Sequence, residues 1–318
     1  MVLRALPMSS HAALDPVVAA IDCGTNTVRL LIRAGERSLA RESRIVRLGQ
    51  GVDATGRLAE EALERAFVCL DEYAALLARH PVERLRLCAT SATRDAANAD
   101  VFAAGVLERL GVLPDVLSGA EEASLAFAGA MAGLRFPLPP PVLVMDVGGG
   151  STELVLGPLE GSATPMPSAA YSMDIGSVRL HERHLHSDPP TAAEIAACIA
   201  DVDAALDACP VHPAAAASVI GVAGTFLTIA AGALGLNSYD RAVVDQGVIE
   251  VAAMAAATDR LLAASVAERA SWGFIGPGRL DVIGAGALIV SRVLARVSVP
   301  TVIASEADIL DGIAASLG

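Results

Sequence analysis

The apolar positions of this chain gather in short β-forming runs that alternate with longer stretches of helical spacing. Two of the runs share one design. Ala20-Ile21-Asp22-Cys23-Gly24-Thr25-Asn26-Thr27-Val28-Arg29-Leu30-Leu31-Ile32 and Val144-Met145-Asp146-Val147-Gly148-Gly149-Gly150-Ser151-Thr152-Glu153-Leu154-Val155-Leu156 each run into an Asp, turn on small residues and return as a second β-forming run. Each reads as a hairpin with a carboxylate at its tip. Two copies imply two related lobes whose tips face each other across a cleft.

Further strands are predicted over 85–89, 112–117, 218–223 and 300–304. Helices are predicted over 58–80, up to 110, over 119–134, 178–185, 191–209, 248–264 and 279–297, and from 306. The first of these places Leu63, Phe67, Leu70, Ala74 and Leu77 on one face. Strands and helices alternate in both halves, which predicts a layered α/β architecture. Pro137-Leu138-Pro139-Pro140-Pro141 interrupts all regular structure. It sets an expected boundary between 1–136 and 137–318, with the last helix expected to pack back on the first half.

Composition narrows the partners. The net charge of −13 argues against nucleic acid, because binding a phosphate backbone needs a basic face. All 23 basic residues are Arg, the side chain suited to bidentate phosphate contact. The five cysteines are widely spaced and unpaired in pattern, as expected of buried thiols in a reducing, cytoplasmic compartment. The uncharged stretch 213–236 is long enough to span a bilayer. Gly221, Gly224, Gly232, Gly235, Thr225 and Thr228 within it favour a strand, a tight turn and a buried helix, so no membrane partner is expected.

The glycines of the hairpin turns are expected to supply positive φ and close backbone approach, so that N–H groups converge on an anion while the Asp faces a metal or water. This is phosphate chemistry. The register also sets Arg29 in one copy against Glu153 in the other, so the lobes are chemically different. Thr90-Ser91-Ala92-Thr93-Arg94 gathers hydroxyls, N–H groups and a guanidinium where a strand gives way to a helix. Glu121 and Glu122 open a helix; their helical offset lets only one face a cleft. Gly224-Thr225 forms a third strand-to-helix turn that could seat phosphate, and Asp281 stays open between cleft contact and helix packing. His181, His184 and His186 lack further metal-type partners at suitable spacing, so a solvated or structural role is expected.

These segments together resemble the exopolyphosphatase and guanosine pentaphosphate phosphohydrolase family, Ppx/GppA, of the actin, Hsp70 and sugar-kinase superfamily. The resemblance runs through both hairpins, Ala89–Arg94, Gly119-Ala120-Glu121-Glu122-Ala123, Asp174-Ile175-Gly176-Ser177-Val178-Arg179-Leu180 and Ile309-Leu310-Asp311-Gly312. The chain is most similar to the short, two-domain actinobacterial members. The resemblance implies two ribonuclease H-like domains around a cleft. It implies a hydrolase, dependent on Mg2+ or alternatively Mn2+, that releases terminal orthophosphate from inorganic polyphosphate or the 5′-terminal phosphate from pppGpp. A non-catalytic sensor of either anion stays as a further alternative, and a homodimer is compatible. On this resemblance Glu122 is the general base, Arg94 a phosphate contact, and Asp146 and Glu153 metal or water ligands. Asp22, Gly24, Thr25, Asn26, Thr27, Thr90, Ser91, Gly148, Gly149, Gly150, Ser151, Gly224 and Thr225 make up the phosphate-binding loops.

Overall fold

The computed structural model describes residues 15–157 and 167–318. Its first sheet begins with the antiparallel meander β1 (Val17–Cys23), β2 (Thr27–Ala34) and β3 (Arg37–Ile45). Two strands then join in parallel, β4 (Arg84–Ala89) beside β1 and the two-residue β5 (Asp115–Val116) beside β4, giving the order β3-β2-β1-β4-β5. The second sheet repeats this plan. β6 (Val142–Val147), β7 (Thr152–Gly157) and β8 (Ala169–Met173) form the meander. β9 (Ser218–Val222) pairs in parallel with β6, and β11 (Thr301–Ala304) with β9. An additional antiparallel strand, β10 (Val248–Glu250), closes the far edge. Such a meander followed by parallel strands, present twice, is the duplicated ribonuclease H-like fold of the actin, Hsp70 and sugar-kinase superfamily.

The repetition extends to single hydrogen bonds. Gly24 N–H donates to Thr27 O at 2.9 Å, and Gly148 N–H to Ser151 O at 3.0 Å, at the same position of each turn. Asp22 pairs with Arg29 across β1 and β2 as Asp146 pairs with Glu153 across β6 and β7.

β3 and β8 are strands that the sequence pattern does not predict. Both form the outer arm of their meander, where most side chains are exposed or half-buried, and Arg37–Ile45 carries polar residues throughout. Their strand character comes from pairing with β2 and β7. The predicted strand over 112–117 shrinks to β5. The uncharged stretch resolves into β9 and the buried helix Ala223–Ala233; among the described residues no helix is long and apolar enough to cross a membrane. All five cysteines are free and buried.

Two helices exchange sheets. Gly119–Ala132 follows the first sheet in sequence, yet Ala123, Phe127 and Ala130 pack on Val142, Val144 and Val155 of the second. The final helix Ile309–Ala315 follows the second sheet, yet Ile309, Leu310 and Ile313 pack on Ala20, Leu31 and Cys88 of the first. The two cross closely: a Cβ on Gly129 would lie 1.9 Å from Asp308 O, and one on Gly312 2.1 Å from Leu125 O.

Candidate active site

The tips of the two hairpins meet. A Cβ on Gly150 would lie 2.5 Å from Thr25 Oγ1 and 2.6 Å from Ser91 Oγ, so only glycine fits where the turns touch. Thr25 and Ser91 hydroxyls share a buried hydrogen bond of 2.9 Å behind this contact. Contrary to the expectation of positive φ, none of Gly24, Gly148, Gly149 and Gly150 adopts it. The glycines serve proximity, not handedness. The left-handed conformation occurs instead at Ala223 (φ 63), in the third turn.

Around the tips opens a narrow cleft. Asp22, Gly24, Thr25, Asn26, Thr27, Thr90, Ser91, Glu122, Asp146, Gly148, Gly149, Ser151, Glu153, Gly224 and Thr225 all line it. Gly150 and Arg94 do not: Gly150 is consumed in the contact between tips, and Arg94 stands behind Glu122. The Thr25 and Gly149 N–H groups make no hydrogen bond within the described residues, which leaves them available to an anion. Asp281 points away and pairs with Arg47 at 2.8 Å.

Glu121 and Glu122 divide as their offset requires. Glu121 Oε2 accepts from Ser118 N–H at 3.0 Å and from Ser118 Oγ at 2.8 Å, closing a capping box at the exposed helix start. Those bonds hold its carboxyl below the usual range. Glu122, 8% exposed, faces the cleft, and its Oε2 accepts from Arg94 Nη1 at 2.9 Å. The same nitrogen donates to Leu117 O at 2.9 Å, fixing the guanidinium. Burial pushes the Glu122 carboxyl up to about 7 against the pull of Arg94.

Three more buried carboxyls share the cleft. Burial, then the neighbouring Asp308 charge, raises Asp146 to about 8. Burial, then Glu122 and Asp146, raises Glu153, whose Oε1 accepts from Ser172 Oγ at 2.6 Å. Burial also raises Asp22, opposed by Arg29, which donates to its Oδ2 from Nε at 3.0 Å and Nη2 at 2.7 Å. Arg29 also pairs with Asp308, the N-cap of the final helix.

Two participants escape sequence reasoning. Arg279 lines the cleft without an acidic partner among the described residues; burial and then the Arg29 charge depress its pKa. Its guanidinium lies over Gly224, where a Cβ would come within 2.1 Å of Nη2. Asp308 anchors Arg29 from the other end of the chain. Neither belongs to the two hairpin turns or to the Gly224 turn; for Arg279 the sequence signal is the short Pro277-Gly278-Arg279 turn before a helix.

Comparison with known proteins now decides the family. The model of the Ppx/GppA phosphatase family matches residues 31–317. The chain belongs to this family. It is 45% identical to exopolyphosphatase 2 of Mycobacterium tuberculosis over 94% of this chain and 98% of that protein. A crystal structure described as an exopolyphosphatase-like protein superposes with a TM-score of 0.91 at 46% identity, covering 95% of this chain and 98% of the other. An exopolyphosphatase structure from Cytophaga hutchinsonii gives 0.85 at 26% identity over 95% and 97%.

The donor set suits a divalent cation shared with substrate. Asp22 Oδ1 is buried and without a hydrogen-bond partner among the described residues, and the cleft collects four carboxyls, each raised first by burial. Among the described residues no three acidic, His or Cys groups converge enough to hold an ion alone. Mg2+ characteristically takes one or two carboxylates and completes its shell with phosphate oxygens and water.

Proposed function

We propose that this chain is an exopolyphosphatase that hydrolyses the terminal phosphoanhydride of inorganic polyphosphate and releases orthophosphate. The observation that carries this reading is Glu122, a buried, partly proton-retaining carboxylate oriented by Arg94 at the wall of a cleft between two anion-receptive turns. The names of the relatives above support the substrate class.

The terminal phosphoryl group would rest against the Thr25 and Gly149 N–H groups with the Arg279 guanidinium beside it. Asp146 and Glu153, together with phosphate oxygens and water, would hold Mg2+, which supplies charge neutralisation at the phosphate oxygens. Glu122 accepts a proton from the water that attacks in line, and the shortened chain leaves with the bridging oxygen. Positioning and electrostatics carry most of such a reaction, and the base adds about 10²- to 10⁴-fold.

Phosphate release from short polyphosphate, long polyphosphate and pppGpp, measured side by side, tests the assignment. Polyphosphate is expected to give the higher kcat/KM. A higher value on pppGpp moves the assignment to the 5′-phosphohydrolase reaction, and no release from either leaves the sensor reading.

A further inference from the structure

The histidine cluster has no part in the cleft. His184 is paired with Asp201 at 2.8 Å, but His181 and His186 line a separate, open pocket of about 330 Å³. Its walls are the helix Ser177–His184, the following loop, the short helix Val266–Arg269 and the turn around Asp281. That turn is a shared partition. Val282 and Ile283 line the catalytic cleft, while Asp281 and Gly284 line this pocket.

The pocket's charges are unevenly committed. Each carboxylate already has a partner: Asp281 accepts from Arg47, both Glu182 oxygens from Gly51 N–H, and both Asp188 oxygens from Val266 N–H. The buried cation is held by carbonyls, with the Asp188 and Asp281 charges nearby. Arg269 is 2% exposed, donates three N–H groups to Ala264 O and Leu280 O, and has no acidic partner within salt-bridge distance among the described residues. Two of a guanidinium's five N–H groups therefore remain. His181 Nδ1 is buried without a hydrogen-bond partner among the described residues. His186 and Ser187 line the same space.

We infer that this pocket binds a small phosphoryl anion, of the size of orthophosphate or pyrophosphate, at a site separate from the catalytic cleft. Arg269 supplies a fixed, desolvated charge with uncommitted N–H groups, the arrangement in which charge-assisted hydrogen bonds to oxyanions are strongest. A cation is a poor occupant, because the Asp281, Glu182 and Asp188 carboxylates already accept hydrogen bonds and the buried Arg269 guanidinium stands beside the same space. Burial first, and then the positive charges of His186, Arg269 and Arg47 against the pull of Asp281, lower the His181 pKa. An anion in the pocket reverses that balance and favours the imidazolium.

The histidine ring resonances of the full-length protein, followed by NMR across pH at constant ionic strength, read this out. Inorganic phosphate and pyrophosphate are the probes, with chloride as the screening control. Either probe is expected to raise the His181 midpoint by about 1 pH unit, saturably, with His80 and His212 unmoved. Arg269→Gln should weaken the response at least about 10-fold. If that variant does not fold, His186→Asn, which leaves the Arg269 carbonyl contacts intact, should weaken it several-fold. A His181 midpoint indifferent to both probes, a response that chloride reproduces, or a response undiminished in the folded variants overturns the site. Polyphosphate hydrolysis is assayed separately, so failure here leaves the catalytic reading standing.

Discussion

Arg94 and Glu122 form one unit: a single guanidinium nitrogen bridges Glu122 Oε2 and Leu117 O, each at 2.9 Å. The carboxylate is thereby fixed at the wall of the cleft. Glu122→Gln keeps shape and removes basicity, so kcat should fall at least about 10²-fold with little change in KM. Glu121→Gln weakens only a helix cap and should leave kcat close to normal. Steady-state phosphate release by both variants, at matched thermal stability, checks the ranking.

Titration gives an independent test. A carboxyl raised to about 7 serves as a base only above that pH, so kcat/KM should fall about tenfold per unit as pH drops below it, and Mg2+ should move the break downward. Stability should run the other way. Glu122 at about 7 and Asp146 at about 8 bind protons more tightly folded than unfolded, so the metal-free protein loses stability as pH rises from about 4.5 to 8. Tm across that window, with and without Mg2+, should show the loss and its relief by the cation.

Gly224 and Arg279 are coupled through contact. Gly224→Ala places a methyl on the guanidinium and should displace it, raising KM for polyphosphate as Arg279→Ala does. The double variant should cost little more than either single one, which a double-mutant cycle measures.

Arg179 ties the second turn to the opposite half, donating to Gly150 O and to Asp53, each at 2.8 Å, and pairing with Asp95. Arg183 adds a second pairing with Asp53, and Arg47 one with Asp281. Arg179→Ala should therefore open the cleft, increasing the radius of gyration in small-angle scattering and lowering kcat. A short polyphosphate with Mg2+ should partly restore the compact form.

The legible part of this protein is local. Both hairpins, the Glu122 helix and the strand before Arg94 are written in contiguous residues whose spacing has one physical solution. β3 and β8 are not, because an outer strand with an exposed face needs no apolar alternation and takes its conformation from its neighbour. Arg279 and Asp308 were hidden for another reason: each meets its site through tertiary packing, and an Arg without a partner or an Asp at a helix start looks ordinary in sequence.

The crossing of Gly119–Ala132 and Ile309–Ala315 means that each half carries the helix that covers the other's sheet. In one polypeptide this is the arrangement by which two identical subunits trade a segment in a domain swap. Cutting at the proline-rich stretch would leave two fragments, each with one sheet face uncovered and an apolar helix with nothing to cover. The fragments should associate when coexpressed and aggregate when made alone. The same exchange places Glu122 on one of the crossing helices and Asp308 at the cap of the other, so a movement of one half against the other is carried to both carboxylates.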